Sequence, residues 1–286
     1  ASAQHLFYAY SRDGKTWTDI NGSRPVFNAY DDEVWLRDPY LHRVTHNGKT
    51  KFHLIHTWGW DHPALFHWES DDLIHWTAAN GGTRTDDGKI MLMDGHDGGP
   101  VSPNAWAPEF TYDGQTGTFY LYWSSRIGDR QVHHYCTTKD WLTFSTPAVY
   151  FDPGFTAIDM TILKEGDTYY AYYKDERNGE KTIRCATSKS LDPRVQRFEG
   201  STPLLPSRYI EVEGPEVFPA MGGKGWFLYF DKFNGDRGVS YTGCTDPSQH
   251  KWYPIPDDEI RNPTEVKHGS VEIISTAELE QLLEHF

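Results

Sequence analysis

A short turn pattern returns five times along the chain, and no other feature restricts the fold so strongly. Ser11-Arg12-Asp13-Gly14-Lys15-Thr16-Trp17, Ser70-Asp71-Asp72-Leu73-Ile74-His75-Trp76 and Thr138-Lys139-Asp140-Trp141-Leu142-Thr143-Phe144 each place a hydroxyl residue six positions before an aromatic ring, around a polar turn. Two looser copies follow: Ser188 through Leu191 and Asp192 to Phe198, and Thr245-Asp246-Pro247 to Trp252. An alternating stretch precedes every copy, at 6–10, 65–69, 132–136, 182–186 and 238–243, and period-two alternation marks a half-buried strand. Further strands of the same period lie at 51–57, 118–124, 169–174 and 225–231. The copies start roughly 50 to 70 residues apart, enough for four strands and their loops. Only 276–286 reads as a helix, with Leu279, Leu282 and Leu283 at helical spacing. The pattern predicts an all-β chain, a single five-bladed β-propeller domain over residues 1–286. The first copy lacks inner strands and 268–275 supplies a strand without outer ones, so the last blade is expected to be closed by both termini.

Charge narrows the partners. With 41 acidic against 27 basic residues the net charge is −14, and such a surface repels a phosphate backbone or an anionic bilayer. Neither nucleic acid nor membrane is expected, no apolar run reaches the roughly 18 to 20 residues of a bilayer span, and a monomer is expected. The opening Ala1-Ser2-Ala3-Gln4 suits either the remainder of an A-x-A signal cleavage or an abrupt cut; a secreted or periplasmic protein is the expectation, with a cytoplasmic one the alternative. Cys136, Cys185 and Cys244 are odd in number and widely spaced, which speaks for small buried hydrophobes rather than disulfides or zinc. His56, His62, His133 and His134 form no H-x-x-x-H pair, so no catalytic metal is expected. Aromatic rings make up 15% of this polar chain, and flat rings beside polar groups suit both strands and sugars.

The innermost strand of each blade should carry the chemistry. These strands read Leu36-Arg37-Asp38-Pro39-Tyr40, Trp106-Ala107-Pro108-Glu109-Phe110, Ala157-Ile158-Asp159-Met160-Thr161-Ile162, Val212-Glu213-Gly214-Pro215-Glu216 and Val266-Lys267-His268-Gly269-Ser270. An acidic residue inside an apolar strand is costly to desolvate unless it is paired or functional, and four of the five strands carry one. Arg37, Lys174 or Arg237 are the cations that would pair them structurally. Convergent carboxylates also suit glycoside hydrolysis, which needs a protonated acid at the leaving oxygen and an ionised carboxylate opposite.

In these five ordered motifs the whole chain resembles glycoside hydrolase family 43, the five-bladed propellers acting on arabinose- and xylose-containing polysaccharides. The resemblance rests on Arg37-Asp38-Pro39, Trp106-Ala107-Pro108-Glu109, Ile158-Asp159, Glu213-Gly214-Pro215 and His268-Gly269-Ser270. It implies Asp38 as the general base that activates water, Glu213 as the general acid, and Asp159 as the carboxylate that orients the acid and raises its pKa. Of the neighbouring acids, Glu211 and Glu216, neither precedes Gly-Pro as Glu213 does. His268 matches a histidine near the channel axis that in several relatives lies by a calcium ion or ordered water, so a structural calcium in the channel is the one metal implied; the chemistry itself requires no cofactor. Met160 stands where many relatives have a small residue or proline.

The resemblance further implies an inverting hydrolase that releases a pentose, α-L-arabinofuranose first, from arabinan, arabinoxylan or derived oligosaccharides. β-Xylosidase, endo-arabinanase or galactan-active enzymes of the same fold are the alternatives, and a non-catalytic sugar-binding propeller is the alternative of another class. A sialidase needs an arginine cluster, which these strands lack, and the fructan-cleaving motifs are absent. Trp58, Trp60 and Trp106 are candidates for the sugar platform or for inter-blade packing. Phe155, in the turn Asp152-Pro153-Gly154-Phe155, is a further candidate contact, as is Arg237.

Overall fold

The repeated turn is built the same way in its first three copies, and it explains why the sequence repeats. The hydroxyl accepts from the N–H three residues on, Gly14 to Ser11 at 2.9 Å, Leu73 to Ser70 at 2.9 Å and Trp141 to Thr138 at 3.0 Å. The aspartate two positions after the hydroxyl then accepts from two further N–H groups: Lys15 and Thr16 for Asp13, Ile74 and His75 for Asp72, Leu142 and Thr143 for Asp140. Side-chain oxygens thus replace the ladder that ends at each turn. Leu73 and Trp141 adopt left-handed backbone there, at φ 66° and 60°, with their side chains anchored in the core.

The protein is described by a computed structural model over residues 5–27, 36–81, 88–205, 211–222, 225–233, 238–244, 246–264 and 267–286. A hairpin of β1 (Ala9–Ser11) and β2 (Trp17–Asp19) precedes four antiparallel four-stranded sheets. The first holds β3 (Leu36–His46), β4 (Lys49–Trp58), β5 (Ala64–Ser70) and β6 (Lys89–Met91); the second holds β7 (Trp106–Asp113), β8 (Thr118–Ile127), β9 (Arg130–Thr138) and β10 (Ala148–Phe151). The third holds β11 (Ala157–Glu165), β12 (Thr168–Asp175), β13 (Ile183–Ser188) and β14 (Glu199–Pro203); the fourth holds β15 (Val212–Pro219), β16 (Trp226–Lys232), β17 (Gly238–Cys244) and β18 (Tyr253–Pro254). Strand order within each sheet follows the chain, so each unit is a meander whose first strand is one edge. Those first strands pack in succession, β3 on β7, β7 on β11 and β11 on β15.

Apolar faces of successive sheets bury one another. Leu65 and Ile90 of the first sheet meet Phe110, Leu121 and Trp123 of the second; Tyr122 and Tyr150 meet Ala171 and Tyr173 of the third; Tyr172 and Cys185 meet Leu228 and Phe230 of the fourth. Trp17 packs with Phe218 and Tyr229 of the fourth sheet, while Leu6 and Ile20 pack with Leu54 and Trp68 of the first. The N-terminal hairpin therefore sits between the fourth sheet and the first. Helix α1 (Thr276–His285) forms where periodicity predicts it, started by a Ser275–Glu278 capping box. Leu279 and Leu282 are buried against the first sheet, whereas Leu283 faces solvent.

Two expectations are modified. The segment 267–275 is not a strand: it is pinned to β3 by side chains, Ser270 Oγ accepting from Leu41 N at 2.7 Å and Glu272 from Arg43 N at 3.0 Å. The alternation at 6–10 yields regular pairing only from Ala9, with a single bridge from Leu6 to Phe27. Cys136 and Cys185 are free and buried, whereas Thr245, Val266 and the Cys244 side chain lie outside the described residues. No helix among the described residues is long and apolar enough to cross a membrane.

Candidate active site

On each of the four inner strands, pairing with the next strand slips at one place: between Arg37 and Tyr40, Trp106 and Glu109, Ile158 and Thr161, and Glu213 and Glu216. One residue in each slip has left-handed backbone: Asp38 at φ 48°, Ala107 at 44°, Asp159 at 56° and Gly214 at 57°. A bulge of this kind kinks the strand and re-aims a side chain. Held in a conformation that disfavours non-glycine residues, Asp38 and Asp159 store local strain at the place where function is expected.

The bulges bring Asp38 and Asp159 to one imidazole. His268 Nδ1 lies 3.2 Å from Asp38 Oδ1, and Nε2 lies 3.3 Å from Asp159 Oδ2 as an ion pair rather than a directed hydrogen bond. Burial alone would lower the His268 pKa, but the Asp159 and Asp38 carboxylates raise it well above the usual imidazole value, so the ring is a cation. Burial would raise Asp38; the hydrogen bond and charge of His268, with the Arg37 guanidinium, hold it below the usual carboxylate range. Asp159 is likewise pushed up by burial and brought below that range by His268, by Lys174 and by the N–H of Gly214, which donates to Asp159 Oδ2 at 3.1 Å. Both aspartates are ionised at neutral pH.

Glu213 stands one residue before the Gly214 N–H that Asp159 holds. Its Oε2 accepts from Lys174 Nζ at 2.8 Å, and the same buried ammonium contacts Glu176 at 2.5 Å. Of the three cations expected as structural partners, Lys174 pairs with Glu213, Arg37 lies by Asp38, and Arg237 lies outside the described residues. Glu211 precedes β15, and of the two it is Glu213 that shares a cavity lining with Asp38, Asp231 and His268. Asp38, Asp159, Gly214 and His268 line a cavity of about 20 Å³, the size of a single water.

The aromatics divide. The Arg37 guanidinium lies 3.6 Å over the half-exposed Trp60 ring, which meets Trp106 edge-on at 5.9 Å; Trp106 Nε1 donates to the Trp60 carbonyl. Arg37 Nη1 is buried without an acceptor among the described residues, leaving a donor beside Asp38. Trp58 is stacked on His62 at 4.0 Å and packed on Phe66. Phe155 has a ring face covered by Arg177 at 3.9 Å and does not line the cavity.

The donors around His268 do not fit the calcium that the sequence resemblance implies. Both ring nitrogens face carboxylates, a protonated imidazole offers no lone pair, and calcium takes oxygen ligands. Lys174 pairs with Glu213, and Arg37 lies by Asp38.

Behind the aspartates lies a second ring of residues, Tyr40, Glu109, Thr161 and Glu216, each closing one bulge. Glu216 accepts from Val271 N at 3.1 Å and Thr161 Oγ1 at 3.4 Å, and Glu109 from the Tyr122 hydroxyl at 3.3 Å. Burial pushes the Glu216 carboxyl up to about 8, and burial with the Glu216 charge pushes Glu109 well above its ordinary value. A buried acid with a raised pKa gives stability that is present below its unfolded value and lost as pH rises through its folded value, at up to about 1.4 kcal/mol per proton and pH unit. The buried imidazoles His53, His56, His67, His133 and His134 have depressed pKa values, chiefly through burial, and act oppositely, but their effect is complete above their unfolded value of 6.5. The melting temperature should therefore fall from about pH 7 to 8.5, and Glu216→Gln should flatten that fall; an equal slope in both proteins would show the pair to be ionised throughout.

With this geometry in place, comparison with known proteins decides the family. A family model described as a probable glycosyl hydrolase domain, related to family 43, matches residues 1–280. The chain belongs to this family. An α-L-arabinofuranosidase of Bifidobacterium longum subsp. longum is 27% identical over 249 residues, covering 71% of this family-43-related hydrolase domain and 22% of that protein. The chain thus spans about a fifth of that relative's length. Among solved structures, a thermostable family-43 glycoside hydrolase superposes with a TM-score of 0.57 at 20% identity, over 80% of this chain and 74% of its own. The xyloglucan PUL GH43B protein of Bacteroides ovatus gives 0.59 at 18% identity, over 84% and 43%. At such identities the structural matches establish a shared fold. Lys174, Glu109, Glu216 and Asp231, which take part in or adjoin this cluster, were not assigned chemical roles by sequence; the available signal was the isolated charge in each apolar strand.

Proposed function

We propose that this hydrolase domain is an inverting α-L-arabinofuranosidase on a five-bladed propeller, its fifth blade assembled from the β1–β2 hairpin and the segment running to α1. The observation that carries the reading is the His268 bridge between Asp38 and Asp159, with Glu213 beside the Gly214 N–H that Asp159 holds. Asp38, kept ionised, removes a proton from water as the oxygen attacks the anomeric carbon. Glu213 gives its proton to the departing oxygen, so the glycosidic C–O bond breaks and the alcohol leaves neutral. Asp159 fixes the strand that carries the acid. The exposed face of Trp60 is the platform for the sugar, with the Arg37 guanidinium behind it beside Asp38.

Inversion is favoured because Asp38 belongs to the first sheet and Glu213 to the fourth, an arrangement that suits the roughly 6.5–9.5 Å carboxyl separation of inverting enzymes. The pentose is favoured by the Bifidobacterium relative, itself an α-L-arabinofuranosidase. A panel of 4-nitrophenyl glycosides with arabinan and xylan should give the fastest hydrolysis on the α-L-arabinofuranoside. Proton NMR in the first minutes should show the β-anomer of free arabinose before mutarotation. First appearance of the α-anomer would require a covalent intermediate and would overturn the mechanism; faster cleavage of another glycoside would overturn the substrate.

A further inference from the structure

Asp231 is an acid that the mechanism above does not use. It lies on β16 directly opposite Glu213 in the strand register, and it is 7% exposed. Its Oδ1 is buried with no hydrogen-bond partner among the described residues. A carboxylate oxygen of Asp231, one of Glu213 and a ring nitrogen of His268 lie within 4.8 Å of one another. The groups facing it are Glu213 across the strand pair, Asp159 from β11, and His268 and Lys267 from the segment after β18. Beyond these, Lys174 from β12 binds Glu213, and Asp38 from β3 binds the far side of His268.

We propose that Asp231 and Glu213 form a carboxyl pair that holds one proton between them, with Asp231 as the positioning residue that keeps this proton available to Glu213 at neutral pH. The inference rests on Glu213 being the acid. Two carboxyls this close resist ionising together, so one proton stays with the pair at rest. Burial raises the Asp231 carboxyl to about 7, with His268 pulling it down and Glu213 and Asp159 pushing it up. In turnover the shared proton moves onto Glu213, the Glu213 O–H bond breaks as the leaving oxygen gains its O–H bond, and both carboxyls remain ionised until solvent returns one proton.

The test compares wild type with Asp231→Asn. The alkaline limb of kcat/KM should move down by about one pH unit or more in the variant, which is a loss of about tenfold at pH values above the limb. Unactivated oligosaccharides should lose more than 4-nitrophenyl glycosides. An unmoved limb would overturn the proposal. A second measurement needs neither turnover nor the Asn variant: in protein labelled with ¹³C at the Asp carboxyls, one signal should titrate near neutral pH in wild type and move to lower pH in Glu213→Gln. If no aspartate titrates near neutral, or if the signal stays in place when Glu213 is neutralised, there is no shared proton. Absence of hydrolysis on every glycoside would instead defeat the functional reading and leave this titration to decide the pair.

Discussion

Glu213→Gln should reduce kcat/KM on arabino-oligosaccharides by about 10²- to 10⁴-fold, while 4-nitrophenyl arabinofuranoside loses far less. The difference follows from the leaving group, since a nitrophenolate departs without help and a sugar alkoxide does not. Asp38→Asn should lose a comparable factor on both substrates, because water must be deprotonated whichever group leaves. The two variants therefore separate acid from base without any assumption about binding. Plotting log kcat/KM against the leaving-group pKa should give a steeper slope for Glu213→Gln than for wild type and an unchanged slope for Asp38→Asn. Glu211→Gln is the control, since Glu211 lies before β15 and does not share the cavity that Glu213 lines with Asp38 and His268. A steep slope in Glu211→Gln with a normal one in Glu213→Gln would reassign the acid.

The charge pattern of the site suits this division of labour. His268 and Arg37 keep Asp38 ionised, as the proposed base must be. Lys174 binds one oxygen of Glu213, and the proposed acid step would use the other. The strained aspartates and the second ring of buried acids carry a stability cost.

Most of the strand layout was legible because two local signals agree. Period-two alternation marks the strands, and the hydroxyl–aspartate turn closes them with side-chain hydrogen bonds that depend only on neighbours in sequence. The segment 268–275 misled for the opposite reason: it reads as a strand, yet Ser270 and Glu272 bind β3 through side chains, and periodicity cannot distinguish such pinning from a backbone ladder. Within the site, the equivalence of Asp38, Ala107, Asp159 and Gly214 is a matter of backbone conformation. Three of these are followed by proline and Asp159 is followed by Met160, so no residue pattern unites them. Asp231 was hidden more deeply, because its partner Glu213 is set by strand register across a bulge. Phe155 looked exposed in its turn, and only the fold shows Arg177 lying over it.

Gly214→Ala should abolish most activity through a residue with no chemistry of its own. At φ 57° the backbone already disfavours any side chain by about 1–2 kcal/mol. The larger effect is steric: a methyl group at Gly214 would overlap the Cδ2 and Nε2 atoms of His268. The imidazole must then leave the position from which it bridges Asp38 and Asp159. Those two aspartates lose their shared cation, the pKa of Asp38 rises, and the acidic limb of kcat/KM moves up. Displacement of a positioned group by about 1 Å costs roughly 10²-fold, and a loss of at least that size is expected here. The cause can be isolated by pairing the change with His268→Ala. Removing the ring removes the clash, so adding Gly214→Ala to His268→Ala should cost far less than adding it to wild type, a coupling well above the about 0.5 kcal/mol seen between independent sites. Additive losses in the double variant would mean that Gly214 acts through its own backbone alone, and that the His268 bridge is not what the glycine protects.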